Sequence, residues 1–167
     1  MDLDAPLRWL YATEIAVQMR ENALLFPWVE AIHVVGLTLV LGSIAVLDLR
    51  LLGVASRGRP LARVLRDVLP VTWLAFALAV VTGALMFASN AVAYAHNGPF
   101  QWKVVLLTLI GLNTAFFHLL VEPALRAAPS TGPTPWRARL SGALSIALWI
   151  GVTAFGRWIG FTINAIQ

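Results

Sequence analysis

Apolar residues run through this chain in four long blocks, at about 27–49, 69–88, 102–121 and 140–163. Each is near the roughly 20 residues an α-helix needs to cross a ~30 Å hydrocarbon layer. The pattern predicts an all-α fold, a four-transmembrane-helix bundle forming one integral membrane domain over residues 1–167. Ahead of the first block, Asp4 and Pro6 suit the N-cap and first turn of a helix reaching about Asn22. Its apolar residues share their faces with Arg8, Glu14 and Gln18, so residues 1–26 are expected to hold an interfacial helix. The start Met-Asp-Leu-Asp lacks the basic region of a secretory signal, and the whole chain is expected in the mature protein.

Small residues recur every four positions, as Ala75, Ala79 and Gly83 in the second block and Gly156 and Gly160 in the fourth. Such spacing lets helix backbones approach closely where lipid supplies no hydrophobic drive. Between the third and fourth blocks, Pro129, Pro133 and Pro135 with Ser130, Thr131 and Gly132 read as a flexible linker.

Composition agrees with the pattern: 59% of residues are hydrophobic and 12% charged, against about 25% charged in ordinary soluble domains. The net charge of +4 would suggest nucleic acid in a soluble protein. Here eight of the twelve Lys and Arg residues lie in two connections, Arg50, Arg57, Arg59, Arg63 and Arg66 after the first block and Arg126, Arg137 and Arg139 after the third. The positive-inside rule accounts for them, placing both connections in the cytoplasm and both termini outside. Nucleic-acid binding is not expected. Trp28, Trp102 and Trp158 would form one interfacial belt, and Trp73 and Trp136 the other. There is no Cys, hence no disulfide, thiolate metal site or Cys nucleophile, and the soluble-enzyme motifs for phosphate, dinucleotide or zinc are absent.

Ionisable residues at membrane depth are costly and are therefore the default site hypothesis. On this topology Glu30, His33, Lys103 and Arg157 form an outer cluster, with Glu30 and His33 on one helical face and Tyr94 and His96 in the loop above. Arg157 has apolar neighbours and is expected to face the bundle, pairing with Glu30 or holding an anionic group. At the inner end stand His118 and Glu122, four apart, expected to pair locally, and Asp48, expected to latch onto Arg126 or Arg139. With Pro27 and Lys103 taken as level, His33 lies six residues in and His118 fifteen, a depth difference of ~14 Å at 1.5 Å per residue. One haem iron does not reach both, so the compatible partners of His33 are His96 or Lys103.

The runs Pro27-Trp28-Val29-Glu30-Ala31-Ile32-His33-Val34-Val35-Gly36 and Asp48-Leu49-Arg50-Leu51-Leu52-Gly53, with Leu69-Pro70, Thr82-Gly83, Asn97-Gly98-Pro99-Phe100-Gln101-Trp102-Lys103, Asn113 and Phe117-His118, resemble a family of uncharacterised bacterial four-helix membrane proteins. The order of features is also distantly similar to the haem-binding membrane protoporphyrinogen oxidase. That likeness implies functional roles for a His on the first span and a Lys on the third, here His33 and Lys103. The aromatic and arginine-rich stretch after that enzyme's first span is replaced by Asp48-Leu49-Arg50-Leu51-Leu52. The helix order also resembles the membrane domain of copper-resistance D proteins, but Met1, Met19 and Met86 make no soft-ligand cluster for Cu(I).

The leading expectation is a haem b-binding redox or electron-transfer protein of the bacterial cytoplasmic membrane. His33 would be an axial and metal ligand, His96 or Lys103 the second ligand, Lys103 a catalytic proton-transfer residue, and Arg157 and Glu30 the edge of the cofactor site. Enzymatic activity, if present, would be that of a membrane oxidoreductase, with quinone or another membrane redox protein as partner. The alternatives are a structural or accessory membrane subunit, a homo-oligomer among them, and a small metal or anion transport protein without haem.

Overall fold

The structure, a computed structural model, describes residues 4–55, 58, 60–127 and 134–163, apart from the side chains of 126 and 127. It is all-helical among those residues: α1 (Ala5–Tyr11), α2 (Glu14–Glu21), α3 (Leu25–Leu51), α4 (Leu61–Ser89), α5 (Ala91–Ala95), α6 (Gly98–Phe116), a π-helical turn (Phe117–Val121), α7 (Glu122–Ala127) and α8 (Trp136–Thr162). The expected linker residues 129–133 and Arg57 and Arg59 lie outside the described residues.

Four helices are long and apolar enough to cross a membrane: α3, α4, α8 and the run Gly98–Leu125 through the π turn, each of 27 to 29 residues. At 1.5 Å per residue they reach about 40 Å, beyond the ~30 Å hydrocarbon layer. Their outward faces carry large apolar side chains such as Val35, Leu74, Leu112 and Ile150, together with Trp28, Trp73, Trp102, Trp136 and Trp158, all exposed. A face of this kind suits lipid, and the chain is a multi-pass membrane protein by the length and composition of these helices.

Several elements run past their sequence-predicted limits. The second span starts eight residues before Leu69, because Pro70 sits inside α4 and does not open it; an internal proline forfeits one backbone bond, a loss membrane helices tolerate. The third span begins at Gly98, capped by Asn97, whose side chain accepts from Phe100 N–H and donates to Thr162 Oγ1. Its far end widens into the π turn, where Glu122 N–H bonds to Phe117 C=O. Pro123 follows, and its ring would collide with the Leu119 carbonyl in a regular α-helix; the wider turn relieves that contact.

The predicted single interfacial helix is two. Thr13 ends α1 by donating to Leu10 C=O and starts α2 by accepting from Ala16 N–H. α2 packs on α4, burying Ala16 and Met19, and Arg20 reaches the carbonyls of Tyr11 and Ser89. The N-terminal segment is therefore docked on the bundle.

α3 packs along both α4 and α8, and α6 along α8. Gly36 faces Ala75 and Ala79, where a Cβ would come within 3.4–3.5 Å of the α4 backbone and Ala79 Cβ. That is the close approach the small-residue spacing predicts. Gly156 and Gly160 behave differently: Gly156 makes room for Lys103, and a Cβ at Gly160 would meet nothing within 4 Å. α4 and α6 do not pack along their lengths and are joined toward the ends, through α5, α7 and the direct stacking of Phe87 on Phe100. A cavity remains between them.

Candidate functional site

The cavity has a volume of about 1000 Å³ and is bounded by all four spans, the upper end of the roughly 300–1,000 Å³ usual for small-molecule sites. Its walls are mostly apolar, and its polar groups gather at two ends: Glu30, His33, Tyr94, Lys103 and Arg157 at one, Asp48, Asn113, His118, Ser141 and Ser145 at the other. Beyond Asp48 the helices close on a buried floor of Leu51, Leu65, Phe117, Val121 and Ala138. On the α4–α6 side, Val80, Val104 and Leu107 line the cavity and are also exposed, giving it an apolar lateral mouth.

His33 is held by three features of α4. Its Nδ1 lies 2.9 Å from Thr82 Oγ1, while the Thr82 hydroxyl donates to Leu78 C=O at 2.7 Å. With the threonine proton so engaged, Thr82 accepts, Nδ1 carries the imidazole hydrogen, and the Nε2 lone pair is free. The Ala79 carbonyl accepts from the same ring. Gly83 supplies the space: a Cβ there would stand 3.1 Å from His33 Cε1. Among the described residues no hydrogen-bond partner meets Nε2.

Lys103, on α6, lies within electrostatic reach of His33. Its ammonium rests beside Gly156 on α8 and makes no hydrogen bond or ion pair among the described residues. Over this end Phe87, Tyr94 and Phe100 form an aromatic cap, with Phe87 and Phe100 stacked at 5.3 Å and Tyr94 tilted against both. Burial, and then the charge of Glu30, push the Tyr94 phenol up from its ordinary value, so at neutral pH it keeps its proton and can donate.

Not all the expected groups converge. The loop above the outer cluster brings Tyr94 to the cavity and leaves His96 outside it, where the exposed His96 Nε2 meets Asp4 Oδ1 at 3.0 Å. No local pattern signals this, because it is the docking of α1 against α5 that brings His96 to the N-terminal segment. His33 and Lys103 are thus together, and His33 and His96 are not. We expect His96→Ala to leave any ligand bound at His33 in place and to shift stability by less than about 1 kcal/mol, as for exposed ion pairs, checked by ligand content and thermal melting in detergent.

Arg157 and Glu30 line the His33 end of the cavity, are exposed, and form no ion pair with each other; the Arg157 guanidinium lies 5.3 Å from the centre of the Phe161 ring. At the other end, the predicted His118–Glu122 pair is present, Nδ1 to Oε2 at 2.6 Å. Asp48 does not latch onto Arg139: it bonds to Ser145, with Oδ2 buried and unpartnered, and the Arg126 side chain lies outside the described residues. The same end holds a feature absent from the sequence reading, Trp149, whose buried Nε1 also lacks a partner. Among the described residues no three His, Asp or Glu side chains converge as a metal site.

No curated protein and no solved structure matches this chain. A family model does, over residues 15–162, from α2 to the last turn of α8. With the four spans and the cavity inside that match, the chain belongs to the family of unknown function DUF6644.

Proposed function

We propose that the cavity holds haem b and that the protein is a redox or electron-transfer component of the bacterial cytoplasmic membrane. The observation that carries this reading is the pair of unpartnered nitrogen groups, His33 Nε2 and Lys103 Nζ, beside one apolar cavity of about 1000 Å³. A tautomer fixed through Nδ1 is the usual arrangement of a metal-ligating imidazole, and the bare Gly83 surface lets the ring lie where it does. His33 would ligate the haem iron. Lys103 would serve as a second ligand or as proton-transfer residue, since lysine gives up its charge readily when buried. Arg157, exposed at the His33 end, suits a propionate, with Glu30 limiting the anionic charge that is tolerated beside it. When bound, haem would supply the one-electron chemistry; the protein's part is ligation, burial and charge. The orientation follows from the arginines: Arg50, Arg63, Arg66, Arg137 and Arg139 cluster toward the Asp48 end, which would face the cytoplasm, leaving the His33 end and both termini outside.

The buried floor favours this reading over a small transport protein, because a conducting route would have to cross Leu51, Leu65 and Phe117. The test is the absorption spectrum of protein purified in detergent after expression with ample haem, oxidised and then reduced with dithionite. A Soret band with sharp α and β bands on reduction is expected. A colourless, folded protein would overturn the proposal and favour an accessory subunit. In the haem-loaded case, Thr82→Val removes the acceptor of Nδ1–H and is expected to weaken haem binding roughly 10–100-fold, read by haem transfer to an apo-globin acceptor.

A further inference from the structure

The cavity has a second oriented imidazole. At the end away from His33, His118 is fixed through Nδ1 to Glu122 Oε2 at 2.6 Å, its side chain is 27% exposed, and Nε2 has no partner among the described residues. The pair straddles the π turn, and such turns recur at functional sites. Two rings flank the imidazole: Trp73, tilted with its centroid 6.1 Å away, and Phe117, edge-on at 5.5 Å. From α8, Trp149 adds a buried N–H donor with no partner.

We propose that this end of the cavity binds the head of a lipid-soluble quinol, whose ring hydroxyl donates to His118 Nε2. Three observations select that class. A carboxylate-oriented imidazole with a free Nε2 is an acceptor for a hydroxyl. The flanking Trp73 and Phe117 rings offer an aromatic wall to a flat head, and Trp149, which lines the same cavity, carries an unpartnered N–H of the kind a second ring oxygen would use. The floor of Leu51, Leu65, Phe117, Val121 and Ala138 closes the route from the Arg-rich end, whereas Val80, Val104 and Leu107 leave an apolar mouth on the α4–α6 side. A ligand therefore arrives from the bilayer with its apolar tail trailing through that mouth. Glu122 is a positioning residue: it holds the tautomer of His118 and does not touch the quinol. The site stands whether or not the His33 end carries haem.

The test is equilibrium binding of a short-tailed benzoquinol to the purified full-length protein, with partition into empty micelles subtracted. Saturable binding is expected. His118→Ala is expected to weaken it roughly tenfold, the loss of one hydrogen bond inside an apolar site. Glu122→Gln should weaken it less and alter its dependence on pH, a change a purely structural carboxylate would not produce. His96→Ala, whose imidazole lies outside the cavity on Asp4, should bind the quinol as wild type does. Binding no greater than that of empty micelles, or a folded His118→Ala protein with unchanged affinity, would overturn the proposal. If His118→Ala fails to fold, Glu122→Gln decides: unchanged affinity and pH profile would count against the site.

Discussion

A His33→Ala protein is expected to purify as a folded but colourless membrane protein, with haem affinity lowered by more than about 100-fold. Removing the hydrogen-bond partner that orients a metal ligand already costs roughly 10–100-fold, and here the ligand itself is deleted. The fold should survive because His33 contributes its bonds to Thr82 Oγ1 and the Ala79 carbonyl, each worth about 1 kcal/mol, and because Thr82 keeps its own bond to Leu78 C=O. Reduced-minus-oxidised spectra and gel filtration in the same detergent check both halves. A wild-type spectrum in His33→Ala would remove His33 from the site. Lys103→Met then assigns Lys103: a changed spin state marks a ligand, whereas an unchanged spectrum with altered proton-coupled redox behaviour marks proton transfer.

The second large effect is structural. Gly142→Leu is expected to destabilise the bundle by about 1–3 kcal/mol or more, as overpacking of a tight core does. A Cβ at Gly142 would already stand 3.2 Å from the Asp48 carbonyl oxygen and 3.2 Å from Leu51 Cβ, both on α3, whose backbone has little room to withdraw. The larger side chain would push α8 from α3, breaking the Asp48–Ser145 bond and opening the floor of the cavity. Gly42→Leu is the control: nothing lies within 4 Å of a Cβ there, and its unfolding midpoint in a denaturing-detergent titration should match wild type. Equal midpoints for both variants would mean the α3–α8 crossing is looser than the structure has it.

Chemistry at the His33 end was partly readable in advance. His33 and Lys103 stand out as ionisable residues inside apolar blocks, and counting residues from the block edges places both in the outer third of their spans. Counting also separates His33 from His118, which the structure puts at opposite ends of the cavity. Lateral relations are a different matter. Whether Arg157 meets Glu30, whether Asp48 meets Arg139 or Ser145, and whether a loop histidine turns inward all depend on helix rotation and on what docks over the ends. Glu30 and Arg157 share a level yet do not pair, and the docking of α1 against α5 takes His96 to Asp4.

By itself the sequence determined the all-α class, the four spans, the clustering of arginines at one end and the small-residue stripe on α4. Each rests on a local or one-dimensional property: hydropathy over about 20 residues, charge in a connection, or spacing on one helix face. Only the tertiary structure decided that α4 and α6 stay apart, and with that the cavity, its lateral mouth, the caging of His33 by Thr82 and Gly83, and the aromatic cap of Phe87, Tyr94 and Phe100. The reason is physical: in lipid, apolar helix faces gain little by meeting one another. Which pairs close is therefore settled by small-residue fit and polar contacts between distant segments, and no single stretch of sequence contains both sides of such a contact.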